Sequence, residues 1–208
     1  MEIIPSILTD DPADFREKIK KLELLVMRIA IDVADGTLTS SATVSGYAEL
    51  NSIQTDLNID AHLMVRNPAA ILVEWLKTKA GRFFIHSESD ADSGRLIDDI
   101  HSAGKKIGLV LNPETPIEKI EVFLNRIDLV QFMAVNPGFD GGHFVESVVE
   151  KIRNFHDNYP DMPIVVDGSV NPDTIPKLIA AGASEFVVGS YIWQSQDIGQ
   201  AIKKLQNV

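Results

Sequence analysis

A (β/α)8 TIM barrel built as a single α/β domain over residues 1–208 is the fold this sequence predicts, and three observations carry it. Short apolar runs alternate with amphipathic helical stretches along the whole chain, about eight of each. The runs are apolar at their centres, as in Ile107-Gly108-Leu109-Val110-Leu111, which suits parallel strands covered on both faces. The length matches the compact limit of ~200 residues for this barrel. Strict alternation alone leaves a choice between a doubly wound sheet and a closed barrel, and eight repeats favour closure.

The strands are expected at residues 3–8, 28–33, 59–65, 82–86, 106–111, 128–135, 164–167 and 185–188. Helical patterns lie between them. Residues 12–25 follow Asp10 and Asp11 and carry Phe15, Ile19 and Leu22 at helical spacing. Residues 68–77 open with Asn67 as cap and Pro68 at the first position. Residues 93–103 end before Gly104, and 172–181 before Gly182, each a candidate left-handed terminator. Residues 116–124, 144–157 and 194–205 complete the set, and 48–56 is the weakest helical pattern. Residues 37–46, small and polar, read as a loop after strand two.

Composition narrows the function. The net charge of −11 speaks against a nucleic-acid partner, which needs clustered Lys and Arg. The same charge offers no long-range pull on a phosphorylated metabolite, so a phosphate must be held locally by backbone N–H groups. No cysteine is present, which excludes disulfides and thiolate chemistry and fits a reducing compartment. The start of the chain lacks a signal-peptide pattern, and no apolar run approaches the ~20 residues of a membrane span. A cytoplasmic protein with no membrane partner is expected.

Barrel enzymes carry their chemistry at the C-terminal ends of the strands. There the sequence offers Ser6, Asp32, His62 with Met64, His86 with Glu88, Asn112, Met133 with Asn136, Asp167, and Gly189-Ser190. Asp32 and Asp167, from strands two and seven, are expected to face each other across the mouth. Opposed carboxylates can do acid–base work on two faces of one carbon. Together with His62 they can also hold a divalent metal. A lone strand-end Asp or His often only caps or packs, but four titratable groups on one rim are costly to bury without a purpose.

Three glycine-bearing turns follow the last three strands: Asn136-Pro137-Gly138-Phe139-Asp140-Gly141-Gly142, Asp167-Gly168-Ser169, and Gly189-Ser190. Each alone can be a tight turn. Clustered in the late loops of a barrel, they point to a phosphate pocket rather than to turns alone. No lysine stands at a strand's C-terminal end, which removes Schiff-base aldolase chemistry.

Taken in order, these segments resemble the ribulose-phosphate 3-epimerase family. Pro5-Ser6-Ile7-Leu8 resembles its first strand, Asp32-Val33-Ala34-Asp35-Gly36 its Asp-Val-Met-Asp-Gly, and Asp60-Ala61-His62-Leu63-Met64-Val65 its third strand. Phe84-Ile85-His86-Ser87-Glu88 resembles strand four, Met133 to Gly142 the phosphate loop, and Val166-Asp167-Gly168-Ser169 strand seven. The resemblance implies a ketose phosphate as small-molecule partner, inverted at C3 through an enediolate. It implies Asp32 and Asp167 as acid and base, and Asp32, His62 and Asp167 as ligands of a divalent metal (Zn, Mn or Fe). Ser6, His62, Met64 and Met133 would meet the substrate, and Gly138, Gly141, Gly142, Gly168, Ser169, Gly189 and Ser190 the phosphate. A homo-oligomer is also compatible with the family.

The departures are specific. The family's metal-ligating His two residues before the first Asp is Ala30 here, which leaves three carried-over ligands. Three protein ligands plus water remains a catalytic count, with weaker binding expected. Its Met after Asp-Val is Ala34, its His-Phe-Val-Pro-Asn cover is Thr37-Leu38-Thr39-Ser40-Ser41, and its phosphate loop carries Asp140 and His143. Besides epimerisation of ribulose 5-phosphate, the sequence leaves three other readings open. They are an epimerase for a hexulose 6-phosphate, different chemistry on the same enediolate, and a phosphosugar-binding protein without turnover.

Overall fold

The computed structural model describes residues 1–135 and 142–208. Eight strands form a closed, wholly parallel barrel in chain order. They are β1 (Glu2–Ile7), β2 (Arg28–Ala34), β3 (Asn58–Met64), β4 (Arg82–His86), β5 (Lys106–Leu111), β6 (Leu129–Met133), β7 (Ile164–Asp167) and β8 (Glu185–Val188), with β8 closing on β1. The expected strands are all present, shifted by at most two residues at their ends.

The helices are α1 (Pro12–Leu22), α2 (Tyr47–Asn51), α3 (Pro68–Trp75), α4 (Ser93–Ser102), α5 (Ser147–Asn158), α6 (Ile175–Ala180), α7 (Ser190–Trp193) and α8 (Ile198–Gln206). Asp11 caps α1, its Oδ1 accepting from Ala13 N at 2.7 Å. α4 ends as expected, with Gly104 at φ +71°. Other expectations need correction. Asn67 stands at the cap of α3 but its side chain makes no capping bond. Residues 116–124 do not form an α-helix; they fold as two 3-10 turns, Ile117–Lys119 and Glu121–Phe123. Ile117, Ile120 and Val122 are β-branched and poor at holding a helix. The helix expected at 194–205 is α8 and starts only at Ile198, where the Asp197 carboxylate caps it through Gln200 N, and the short α7 precedes it at Ser190–Trp193. α6 starts at Ile175, since Asn171 and Thr174 bond each other in a preceding turn. α5 likewise begins at Ser147, not at 144.

Side chains of alternate strand residues fill two regions. One set, including Phe83, Phe132 and Phe186, packs between sheet and helices against Phe15, Trp75 and Phe155 of α1, α3 and α5, all six fully buried. Burying each such side chain stabilises the fold by roughly 1.5–3 kcal/mol. The other set lies inside the barrel: Ile4, Ala30, Phe84, Val110, Leu129, Met133, Val135, Val165 and Val187. At the N-terminal mouth Asp60, fully buried, takes two bonds from Arg82 at 2.8 and 2.5 Å and one from Arg28 at 2.8 Å. Arg82 also pairs with Glu185 at 2.7 Å and Arg28 with Glu2 at 3.2 Å. This ionic floor leaves the opposite mouth to the chemistry.

Candidate active site

The parallel register places Asp32 directly beside His62 on neighbouring strands β2 and β3. β7 brings Asp167 to the same end, beside Met133 of β6. His62 Nδ1 lies 3.0 Å from Asp32 Oδ1 and 3.2 Å from Asp167 Oδ2. One atom from each residue falls within 4.8 Å of the others. An imidazole nitrogen and two carboxylate oxygens, all converging and buried, fit a divalent cation such as zinc. Ala30 faces the barrel interior two residues below Asp32, but its methyl adds no donor. Two carboxylates sharing one nitrogen set the electrostatics. Burial opposes a charge on His62, yet its bonds to Asp167 and Asp32, and their charges, push its pKa up to about 9. Burial raises the pKa of Asp167, with the Asp32 charge adding to it and the His62 bond opposing.

Above the triad opens a cavity lined by Ser6, Asp32, Met64, Met133, Gly142, Asp167, Gly168, Ser169, Gly189 and Ser190. These are rim residues expected from sequence, gathered around one cavity, and His62 lies beneath them. His86, Glu88 and Asn112, also expected on the rim, do not line the cavity. Gly138 and Gly141 lie outside the described residues, as do Asn136 and Asp140. Gly168 (φ +105°) and Ser169 (φ +49°) are consecutive residues in positive-φ backbone, a conformation a serine rarely holds. The turn is locked: Ser169 Oγ bonds Gly142 O, while Asn171 Nδ2 and Thr174 Oγ1 both donate to Ser169 O at 3.1 Å. A β-carbon on Gly189 would stand 3.0 Å from Ser6 Oγ, so the glycine lets β8 approach that hydroxyl. The 37–46 loop is anchored at its start, where Arg66 N and Nε donate to Thr37 Oγ1 and O at 3.0 and 3.1 Å.

His86 and Glu88 also reach the site, behind His62. His86 Nε2 is 3.0 Å from His62 Nε2, and His86 Nδ1 is 3.2 Å from Glu88 Oε2. Burial drives His86 down to about 4, against its bond to Glu88. Burial pushes Glu88 the other way, but bonds from His86, Thr115 and Asn112 win and hold it at about 2.

Three groups escape sequence reasoning. Gln131, nearly fully buried, aims its amide at Asp167 Oδ2 (3.3 Å) and Met133 Sδ (3.6 Å). One amide in an otherwise apolar central strand was its signal. Lys18 reaches the cavity wall from α1, with its ammonium on Asp14 at 2.7 Å and 5.2 Å from the centre of the Trp193 ring. Lys151 reaches the end of β5 from α5, donating to the carbonyls of Asn112 (2.8 Å), Pro113 (3.3 Å) and Thr115. Neither lysine sits on a strand, so no strand-end search finds it.

A closed parallel barrel with a carboxylate–imidazole triad under a glycine-lined cavity defines a class: barrel proteins equipped for acid–base chemistry at one mouth. The particular family follows from comparison. The ribulose-phosphate 3-epimerase family model matches residues 2–193. The chain is 37% identical over 213 residues to the chloroplastic ribulose-5-phosphate-3-epimerase of Arabidopsis thaliana, covering 98% of this chain and 75% of that one. It is 36% identical over 214 residues to the ribulose-phosphate 3-epimerase of Bacillus subtilis (strain 168), covering 99% and 98%. The chain belongs to the ribulose-phosphate 3-epimerase family. Among solved structures, a 3-hexulose-6-phosphate synthase superposes with a TM-score of 0.71 at 19% identity, covering 100% and 99% of the two chains. The orotidine 5'-monophosphate decarboxylase of Sulfolobus solfataricus does so at 0.67 and 14%, covering 99% and 96%. These likenesses speak for the fold alone.

Proposed function

We propose that the protein is an epimerase that inverts C3 of D-ribulose 5-phosphate to give D-xylulose 5-phosphate. The observation that carries this reading is the pairing of Asp32 on β2 with Asp167 on β7 at the base of one cavity. Inversion needs a base on one face of C3 and an acid on the other, and two carboxylates from well-separated strands meet that need. The C3 proton is acidic because its removal leaves an enediolate. One Asp takes that proton; the other returns one to the opposite face. Met64 and Met133 wall the reacting carbons with apolar, polarisable surface and keep water from quenching the enediolate. The Gly142, Gly168-Ser169 and Gly189-Ser190 turns receive the phosphate through backbone N–H groups.

A divalent metal held by Asp32, His62 and Asp167 would supply charge stabilisation for the enediolate oxygens. This assignment rests on the donor geometry and on family membership. The partner is the small ketose phosphate, with no nucleic acid and no membrane. A cytoplasmic setting accords with the absence of cysteine, and homo-oligomeric assembly is part of the same reading. Among the described residues no helix is long and apolar enough to cross a membrane.

Ala30 favours one second reading, a phosphosugar-binding protein that has lost turnover. NMR of D-ribulose 5-phosphate with the protein in D₂O separates the two. The proposal expects deuterium at C3 and appearance of xylulose 5-phosphate. Binding of the sugar without exchange, with zinc or manganese added, would establish the second reading instead.

A further inference from the structure

Behind the three candidate metal donors runs a chain of two buried histidines and a half-buried glutamate that the acid–base mechanism does not use. His86 and His62 are both shielded from solvent, their rings 14° from parallel with centroids 5.1 Å apart. The chain runs from Glu88 Oε2 to His86 Nδ1 (3.2 Å), then from His86 Nε2 to His62 Nε2 (3.0 Å), and ends at His62 Nδ1 between two carboxylates. Glu88 itself is fixed: its Oε1 accepts from Asn112 N at 3.0 Å and from the Thr115 hydroxyl. Lys151 in turn holds the carbonyls of that same turn.

We propose that Glu88 and His86 are positioning residues that fix His62 in the tautomer with its lone pair on Nδ1, ready to ligate a divalent metal. The inference rests on the reading of Asp32, His62 and Asp167 as a metal site. The argument is a proton count along the chain. Glu88, ionised, can only accept, so His86 Nδ1 carries a hydrogen. Two ring nitrogens 3.0 Å apart need one proton between them, since two lone pairs repel and two hydrogens collide. A neutral His86, fully buried, therefore offers its lone pair at Nε2, and His62 Nε2 donates to it. The lone pair of His62 then falls on Nδ1, the atom facing Asp32 and Asp167. A divalent metal there would meet that lone pair together with one oxygen from each carboxylate.

Metal-bound histidines commonly donate their second N–H to a carboxylate or carbonyl, which sets the tautomer and raises ligand basicity. Here the carboxylate stands one imidazole further back. Gln131 Nε2 is an amide donor and cannot accept that hydrogen; at 3.5 Å from His62 Nε2 it is also too long a contact to compete with His86 Nε2 at 3.0 Å.

The test is zinc titration by calorimetry on wild type and Glu88→Gln, together with long-range ¹H–¹⁵N NMR of the histidine rings in zinc-loaded wild type. The expected result is a loss of zinc affinity of about 10–100-fold in the variant with unchanged stoichiometry. The NMR should find His86 protonated at Nδ1 and His62 at Nε2. Equal zinc affinity in the two proteins would overturn the role of Glu88 while leaving the metal site standing. A His86 protonated at Nε2 with a bare Nδ1 would overturn it even if the variant failed to fold. Wild type that takes up no zinc would sink both the metal site and this inference.

Discussion

His62 and His86 touch nitrogen to nitrogen at 3.0 Å, yet their surroundings drive their proton affinities in opposite directions. Burial works against a charge on both. His62 overcomes it through two carboxylates; His86 has one, already engaged elsewhere, and a cationic neighbour.

The pH dependence of metal-free stability follows from that pair. His62 is raised from 6.5 to about 9, so its contribution is fully present below pH 6.5 and is lost as pH climbs through 9. His86 is lowered to about 4, so the unfolded chain gains a proton that the folded one refuses as pH falls from 6.5 towards 4. These two groups therefore place the stability maximum of the metal-free protein near pH 6.5. Thermal melts in a chelator between pH 4 and 9 should fall away on both sides. Saturating zinc replaces the His62 proton and should flatten the alkaline limb. A metal-free melting temperature that does not change between 6.5 and 9 would contradict the buried His62 cation.

Asp167→Asn removes one of the two proton-transfer groups while keeping the side-chain shape. C3 exchange in D₂O should drop by at least the ~10²–10⁴-fold typical of a lost acid or base. The circular dichroism spectrum should be unchanged. Full exchange in this variant would end the assignment of Asp167 as acid or base.

Much of this was readable in the sequence because a parallel barrel ties function to strand ends. Once eight apolar runs are placed, the residues at the C-terminal end of each are site candidates, and Ser6, Asp32, His62, Met64, Met133 and Asp167 all follow from that rule. The family resemblance then sorted them into roles. What stayed hidden depends on long side chains reaching in from helices, as with Lys18 and Lys151, or on contacts between strands. The ionic floor around Asp60 is of the second kind: Arg28, Arg82 and Glu185 lie on three different strands and meet it only when the barrel closes. Local propensity also misled at 116–124, where apolar spacing resembled a helix that the β-branched Ile117, Ile120 and Val122 did not sustain.

Ala30→His restores a donor on β2 at a position whose side chain already faces the barrel interior. Zinc affinity should rise, as expected for a fourth protein ligand. The new ring must fit inside the apolar cluster that fills the barrel, so stability should fall by about 1–3 kcal/mol, the usual range for overpacking. Calorimetry and chemical denaturation read the two effects separately. Unchanged zinc affinity would mean that the ring cannot reach the triad.

Asp60→Asn tests the floor. The carboxylate is fully buried and takes bonds from two arginines, so its loss leaves Arg28 and Arg82 partly unpaired inside the barrel. Breaking a buried pair this way costs about 3–5 kcal/mol. Urea denaturation should register it; a loss below ~1 kcal/mol would rank the cluster with surface ion pairs.

Gly168→Ala tests whether the turn after β7 holds the phosphate. An added β-carbon would lie 2.4 Å from Val135 Cγ2 and 3.1 Å from Val135 N, at a φ of +105° that L residues rarely adopt. The backbone must therefore move, carrying with it the N–H groups of Gly168 and Ser169 at the cavity wall. Affinity for inorganic phosphate, measured by calorimetry, should fall while zinc affinity changes less. Adding Val135→Ala removes the side-chain clash but neither the positive φ nor the contact with the backbone nitrogen, so rescue should be only partial. Wild-type phosphate affinity in Gly168→Ala would show that the phosphate is held elsewhere on the rim.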